Sequence, residues 1–450
     1  MRCESYDKAN TLGRMERFYS CKYGLLKFLH TSKFESLVVS KDEYNFMIGN
    51  VVPKFTSQAQ AYDESGIEHG YAVGLNKEKS RVRALGEYIE RYSSSYNEGE
   101  FIDNVMYDSF ENMSARGMEC MDFNHSIHFE EHQYEESNFP YAQYSHHHPI
   151  SWLEGEDIVY GKRLWIPLQR ILLKYPVPKV ELPYVPAIST GLACGTSFTQ
   201  AALNAIYEVI ERDSFMITWL LKVPARQINL DIVHNKELRE LYQHIRKHMV
   251  GEDMLTIYDI SKTNGVHTIL TIIRNDLPHA FGVIVSLASH ANPEIAITKA
   301  LEEVCQIQSL AYSYLFSDEK YENLEKEDVD SLYKHLFYYC TSTQNSNVDF
   351  LTSSSDSIRL SEMPDYSGRT GEEELNRIQR LFHDSEQSIY IVEVTKPEVR
   401  EQGFLVVKAI IPGYVDLDIN HRIRQLNNLR LKKFQKQYGA MFHDEPPPFA

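Results

Sequence analysis

The chain is 450 residues long, 43% hydrophobic and 24% charged, enough to bury a large core as one big domain or as several packed subdomains. Its 46 Lys+Arg against 63 Asp+Glu leave a net charge of −17, which disfavours nucleic acid or an anionic membrane as the main partner. Six cysteines (Cys3, Cys21, Cys120, Cys194, Cys305, Cys340) lie far apart with no C-x-x-C pair, which argues against thiolate zinc and a disulfide framework and for a reducing cytoplasm.

The polar start, MRCESYDKANTLGRMERFYS, lacks the apolar run of a signal peptide, and no role can be assigned to residues 1–60. From Gly70 a glycine-bearing stretch runs into a predicted helix, RVRALGEYIERY. Residues 93–150 are acidic, rich in Tyr and His, and read as loops with short elements. ISWLEGEDIVYGKRLWIPLQRI (150–171) reads as two short strands around a glycine turn, then a proline entry. STGLACGTSFTQAALNAIYEVIERDSFMITWLL (189–221) predicts a Gly-rich turn feeding a long helix that stops near Pro224. Its stretch Ala201 to Leu221 is apolar enough for a membrane span, but Glu208, Glu211, Arg212 and Asp213 at its middle favour a buried helix instead. Strands are predicted at 266–273 and 280–287, then a helix over 293–315 with Pro in its first turn. Acidic and Ser/Thr/Asn-rich runs from 318, reaching to about 375, read as surface insertions. Strands return at 389–394 and 404–411, before a basic helix (422–437) and the tail EPPPFA. Without regular βα alternation, this order predicts an α+β fold with helices layered on largely antiparallel sheets.

Two segments echo each other: Ala84-x-x-Glu87-x-x-Glu90-Arg91 and Ala205-x-x-Glu208-x-x-Glu211-Arg212. On a helix each copy presents two carboxylates and a guanidinium on one face, and a third helix offers Glu302 and Gln306 at i, i+4. On pattern alone E-x-x-E-R is a solvated face with local ion pairs. The second copy, however, is flanked by Ile206, Tyr207, Val209, Ile210, Phe215, Met216, Ile217, Trp219 and Leu220, which calls for burial. Buried carboxylates need cations, and one arginine per copy does not balance two glutamates. Mg²⁺ would, because it takes one or two carboxylates and completes its shell with water and phosphate oxygens. Guanidinium groups and a glycine turn at a helix N-terminus favour phosphate as well. No Walker loop or kinase signature occurs.

Three ordered blocks, RALGEYIERY (83–92), STGLACGTSFTQAALNAIYEVIERDSF (189–215) and ASHANPEIAITKALEEVCQ (288–306), resemble the YcaO family, with the likeness running over residues 61–450. The resemblance implies an ATP site with Mg²⁺ held by Glu87, Glu90, Glu208 and Glu211, and Arg91 and Arg212 on phosphate or supporting the carboxylates. It implies that Glu302 and Gln306 complete the nucleotide pocket, and that Thr196 and Gln200 contact the nucleotide where Asn and an acidic residue are common. A family Gly-Lys-Gly is replaced here by Ala72-Val73-Gly74, with Lys77 or Lys79 as candidate substitutes.

The proline-rich tail Pro446 to Ala450 is similar to that of azoline-forming members, which implies a cyclodehydratase. In that chemistry a Cys, Ser or Thr side chain attacks the preceding carbonyl, and the oxyanion is then phosphorylated and expelled. The C-terminal carboxylate of Ala450 is the candidate base by the same resemblance; a disordered stub is the alternative. Implied partners are a precursor peptide, a leader-binding E1-like/ThiF-like protein, a flavin-dependent dehydrogenase, and a homodimer or synthetase complex, with no nucleic acid and no membrane. Rival readings are thioamide or macroamidine formation, and a noncatalytic ATP-binding scaffold. The histidine groups His146-His147-His148 and His125, His128, His132 read mainly as solvated loops, and Cys194 as a small buried side chain.

Overall fold

The computed structural model describes residues 8–18, 28–33, 57–62, 69–72, 77–96, 102–175, 177–248, 255–275, 281–315, 324–340 and 342–449. In chain order its strands are β1 (Phe28–Lys33), β2 (Ser57–Tyr62), β3 (His69–Ala72), β4 (Met106–Ser109), β5 (Pro149–Asp157), β6 (Lys162–Pro167) and β7 (Leu192–Gly195). They continue with β8 (Arg226–Asn229), β9 (Leu255–Asp259), β10 (His267–Arg274), β11 (Val283–His290), β12 (Ser357–Arg359), β13 (Tyr390–Glu393) and β14 (Leu405–Ile410). Five helices matter below: α1 (Lys77–Ser94), α2 (Phe198–Leu220), α3 (Pro293–Leu315), α4 (Leu332–Tyr338) and α5 (Leu429–Tyr438).

The strands form three sheets, ordered β1-β2-β3, β4-β5-β13-β14-β7 with β6 beside β5, and β11-β10-β9-β8-β12. Pairing is antiparallel except between β8 and β12, as the α+β reading expects. Strand alternation places the helices in layers. On β7 and β14, Leu192, Val406 and Ile410 pack against Leu85, Tyr88 and Ile89 of α1. Their neighbours Ala193, Val407 and Ala409 face Ala201, Ala205 and Ile206 of α2 on the opposite side. Further along α2, Phe215, Met216 and Trp219 cover Leu270, Ile272, Val285 and Leu287 of the five-stranded sheet. The other face of that sheet takes Ala296, Ile297, Ala300 and Leu301 of α3. The helix α2 is thus sandwiched between two sheets, which is why it is apolar nearly all round; Ser197 caps it by accepting from Gln200 N.

Two sequence-based expectations change, and one of the two readings of the tail falls. The run from 318 is not a surface insertion throughout: Leu336, Phe337, Tyr339, Val348 and Leu351 are buried and β12 extends a sheet. The basic helix begins only at Leu429, because Asn428 caps it by accepting from Leu431 N. The tail is no stub. Pro446 to Phe449 are buried; Tyr339 Oη donates to Pro446 O at 2.7 Å and Trp219 Nε1 to Glu445 O at 2.8 Å. Phe449, 2% exposed, lies 5.7 Å from the Phe215 ring, and Ala450 falls outside the described residues. Among the described residues no helix is long and apolar enough to cross a membrane.

Emptying the Phe449 site should cost about 3–5 kcal/mol, the usual range for Phe→Ala in a core. Phe449→Ala is therefore expected to lower the urea midpoint clearly. An unchanged midpoint would mean that the tail is not docked in solution.

Candidate functional site

The helices α1, α2 and α3 bring their charged faces together where two sheets present open edges, β7 of one and β11 of the other. An edge strand leaves every second N–H unpaired, and here carboxylates occupy them. Leu287 N and Ser289 N, both on β11, donate to Glu303 Oε2 at 3.2 Å and Glu211 Oε2 at 2.9 Å. Gly191 N, in the turn before β7, donates to Glu208 Oε2 at 2.8 Å. One oxygen of each carboxylate is thereby fixed by backbone. The remaining oxygens of Glu208 and Glu211 face Arg212 across loose ion pairs of 3.5 and 3.6 Å. Arg212 Nη1 is buried and makes no hydrogen bond, so the guanidinium retains donor capacity.

Glu87 and Glu90 of α1 join the group, with Arg91 paired to Glu87 at 3.1 Å. Desolvation, then the Glu208 carboxylate, pushes the Glu90 pKa well up, while Arg91 and Lys408 pull against it. Glu211 rises to about 8, again by desolvation first, opposed by Arg212 and reinforced by Glu303 and Glu208. Glu303 is raised by desolvation against Arg212. Burial would lower the Arg212 pKa, but Glu211, Glu208 and Glu303 hold it above the ordinary value.

The sequence-derived residues fare unequally. Glu87, Glu90, Glu208, Glu211, Arg91 and Arg212 come together. Glu302 does not join the carboxylates: its two oxygens take Lys79 at 2.8 Å and Arg83 at 3.0 Å, so it organises cations. Gln306 is half-buried on the same helix. Thr196 donates through both N and Oγ1 to Gln200 Oε1, at 2.9 and 3.0 Å. Gln200 stands roughly 12 Å along α2 from Glu208, given 1.5 Å per residue, so the pair belongs to another part of any shared pocket. Of the alternatives to a missing family lysine, Lys79 is engaged by Glu302 and Glu237, while the side chain of Lys77 and residues 73–74 fall outside the described residues.

Two residues were missed. Glu303 joins the carboxylates, a position not assigned from the sequence, and Lys299, one turn earlier, is solvent-exposed although desolvation lowers its pKa against Glu211. The signal was available, because Lys299, Glu303 and Gln306 lie at i, i+4 and i+7 and share a helical face. Among the described residues the histidines form no metal cluster. His146 pairs with Asp122, His147 with Glu111, and His128 is buried with its pKa lowered to about 4 by desolvation. Burial likewise raises the Cys194 thiol far above its ordinary value, which leaves it a poor nucleophile.

Among the described residues no three His, Cys, Asp or Glu side chains form a ready-made metal cage. Mg²⁺ takes one or two protein carboxylates and fills its remaining positions with phosphate oxygens and water. Carboxylates anchored to backbone by one oxygen, with the other only loosely paired to Arg212, fit a metal–phosphate ligand.

The comparisons with known proteins agree. Residues 71–415 match the family model described as YcaO cyclodehydratase, ATP- and Mg²⁺-binding. An uncharacterized protein of Methanothermobacter thermautotrophicus is 23% identical over 270 residues, 59% of this chain and 65% of that protein. An uncharacterized Mycobacterium tuberculosis protein is 25% identical over 42% of this chain and 39% of its own length. The chain thus spans less than two thirds of these relatives. Among solved structures, a heterocyclase in complex with substrate and cofactor superposes with a TM-score of 0.74 at 17% identity, covering 98% of this chain and 57% of that one. YcaO from Methanopyrus kandleri bound with AMPPCP and Mg²⁺ gives 0.61 at 15% identity, covering 91% and 92%. The Escherichia coli microcin synthetase McbBCD complex with pro-MccB17 bound gives 0.57 at 17%, covering 86% and 88%. These likenesses establish the fold.

The raised carboxyls carry a pH signature. Without a cation, Glu211 titrates near 8 rather than the ordinary 4.5, so between those values the folded state holds more protons than the unfolded one. Stability of the metal-free protein therefore falls as pH rises through that window. A cation displaces these protons, so it binds more tightly at higher pH. The rise in melting temperature on adding Mg²⁺ with nucleotide should be larger at pH 8.5 than at pH 6.5. An equal rise at both would contradict the titration of these carboxyls.

Proposed function

Because the chain belongs to the YcaO family, whose model is ATP- and Mg²⁺-binding, we propose that it is an ATP-dependent cyclodehydratase acting on backbone amides of a precursor peptide. The products on this reading are thiazoline or (methyl)oxazoline rings made from Cys, Ser or Thr. The observation that carries it is the meeting of carboxylates and cations from three helices around backbone-fixed oxygens.

When bound, Mg²⁺ and ATP supply the phosphoryl group that turns an amide oxygen, otherwise a very poor leaving group, into one that can be expelled. The residues of the chain position and stabilise. Glu208 and Glu211, with Glu87, Glu90 and Glu303 beside them, would present oxygens to the cation. Arg212 and Lys299 would take phosphate oxygens, with Arg83 and Lys79 behind them on Glu302. Thr196 and Gln200 would meet another part of the nucleotide, and Gln306 would line the pocket. The docked tail supports the azoline reading, since it carries Phe449 onto Arg212, with the guanidinium 4.1 Å from the ring centroid. The residue that follows Phe449, Ala450, is the proposed base. A leader-binding partner and a dehydrogenase within a synthetase complex would complete the system.

The test is mass spectrometry of a candidate precursor peptide incubated with the protein, partner and ATP, with ADP measured in parallel. A loss of about 18 Da per ring, with ADP release that depends on the peptide, is expected. ATP binding without peptide-dependent ADP release would make the protein a scaffold. Glu211→Gln keeps the Ser289 contact but removes charge, and should lower ADP release at least about 100-fold, the scale for losing one aimed electrostatic group. Near-normal release in this variant would remove Glu211 from the site.

A further inference from the structure

Lys408 is 1% exposed in the middle of β14, inside an apolar strand, and no step above uses it. Burying an ammonium is unfavourable unless its donors are satisfied. Its Nζ donates to Ile188 O at 2.8 Å and Thr190 O at 2.7 Å, the carbonyls on either side of Ser189. The next residue after that turn, Gly191, accepts from Ala409 N at 2.7 Å, directly beyond Lys408 on the same strand. Gly191 has φ +83°, and a Cβ there would lie 2.3 Å from Ala409 O, so the turn lies flat on β14. Leu192 N closes it by donating to Ser189 O at 2.8 Å. The same Gly191 gives its own N–H to Glu208 Oε2. The groups facing Lys408 are Arg170, Asp416, Glu208 and Glu90, so its charge sits between an arginine–aspartate pair and the carboxylates of the site.

We propose that Lys408 is a positioning residue for the metal site: it clamps the turn 188–191 onto β14 so that the Gly191 amide holds one Glu208 oxygen and leaves the other for the cation. The inference rests on the reading of Glu208 as a metal ligand. Lysine suits this role because its flexible stem carries donors to two carbonyls at once. A methionine of similar length would fill the space and leave both buried carbonyls unpaired.

Binding of AMPPCP by calorimetry across a Mg²⁺ series, with circular dichroism as a check of folding, tests this without relying on turnover. Lys408→Met is expected to raise the half-saturating Mg²⁺ concentration about 10- to 100-fold, the effect of losing a residue that orients a metal ligand. Lys408→Gln, which retains a donor, should shift it less, and it carries the test if the methionine variant does not fold. In the double variant with Glu208→Gln the shift should be no larger than with Glu208→Gln alone, because both changes act on one ligand. Wild-type Mg²⁺ dependence in the Lys408 variants, or shifts that add in full, would overturn the proposal while leaving the metal site standing. No shift in Glu208→Gln itself would overturn the metal-site reading, and this inference with it.

Discussion

The fold depends on one electrostatic constraint: a group of half-buried carboxylates, with Glu211 buried among them, is drawn together where charges of one sign cannot stay without compensation. Glu87, Glu90, Glu208, Glu211 and Glu303 meet across three helices, and desolvation raises the pKa of Glu90, Glu211 and Glu303. The protein answers in two ways. Arg91, Arg212, Lys299 and Lys408 supply opposite charge nearby, and the open edge of β11 supplies backbone N–H groups. The edge strand, elsewhere an invitation to aggregation, becomes a rack on which the side chains are set. On the proposed reading, what remains is a set of oriented carboxylate oxygens that would hold a divalent cation.

The layered architecture makes such an arrangement possible. Sandwiched between two sheets, α2 can bury apolar residues on both flanks, so one turn of it reaches the turn before β7 with Glu208 and β11 with Glu211. The C-terminal tail joins the same centre. His335 Nδ1 lies 2.9 Å from Pro447 O, Tyr339 holds Pro446 O, and Phe449 is stacked on Arg212. On the neighbouring residue of α2, Asp213 is gripped by Arg430 of α5 through contacts of 2.8–3.0 Å. The end of the chain and the carboxylate cluster are therefore parts of one packed unit.

Much of this was legible in the sequence where a single local rule governs. The span of α3, Pro293–Leu315, coincides with its prediction because an N-terminal proline and an unbroken apolar face mark it. The paired E-x-x-E-R copies pointed to the site because their flanks left no solvent-facing alternative for the second. Where adjacent residues compete for one role, the pattern was ambiguous. Glu302 and Glu303 differ by about 100° on the helix, and the strand edge that settles the choice lies in another segment. Lys408 was visible as a lone cation in FLVVKAII, but its purpose depends on a turn more than two hundred residues away in the chain. The run from 318 misled because polar composition conceals the buried Leu336, Phe337 and Tyr339, whose burial is decided by packing on the tail.

Diffraction from crystals grown with AMPPCP and Mn²⁺ in place of Mg²⁺ addresses the central claim most directly, since manganese is located by its anomalous signal. Metal density is expected beside the oxygens of Glu208 or Glu211 that the backbone leaves to Arg212, at about the 2.1 Å of a small hard cation bound to carboxylate, with the nucleotide phosphates alongside. Manganese and nucleotide bound away from these carboxylates would contradict the account.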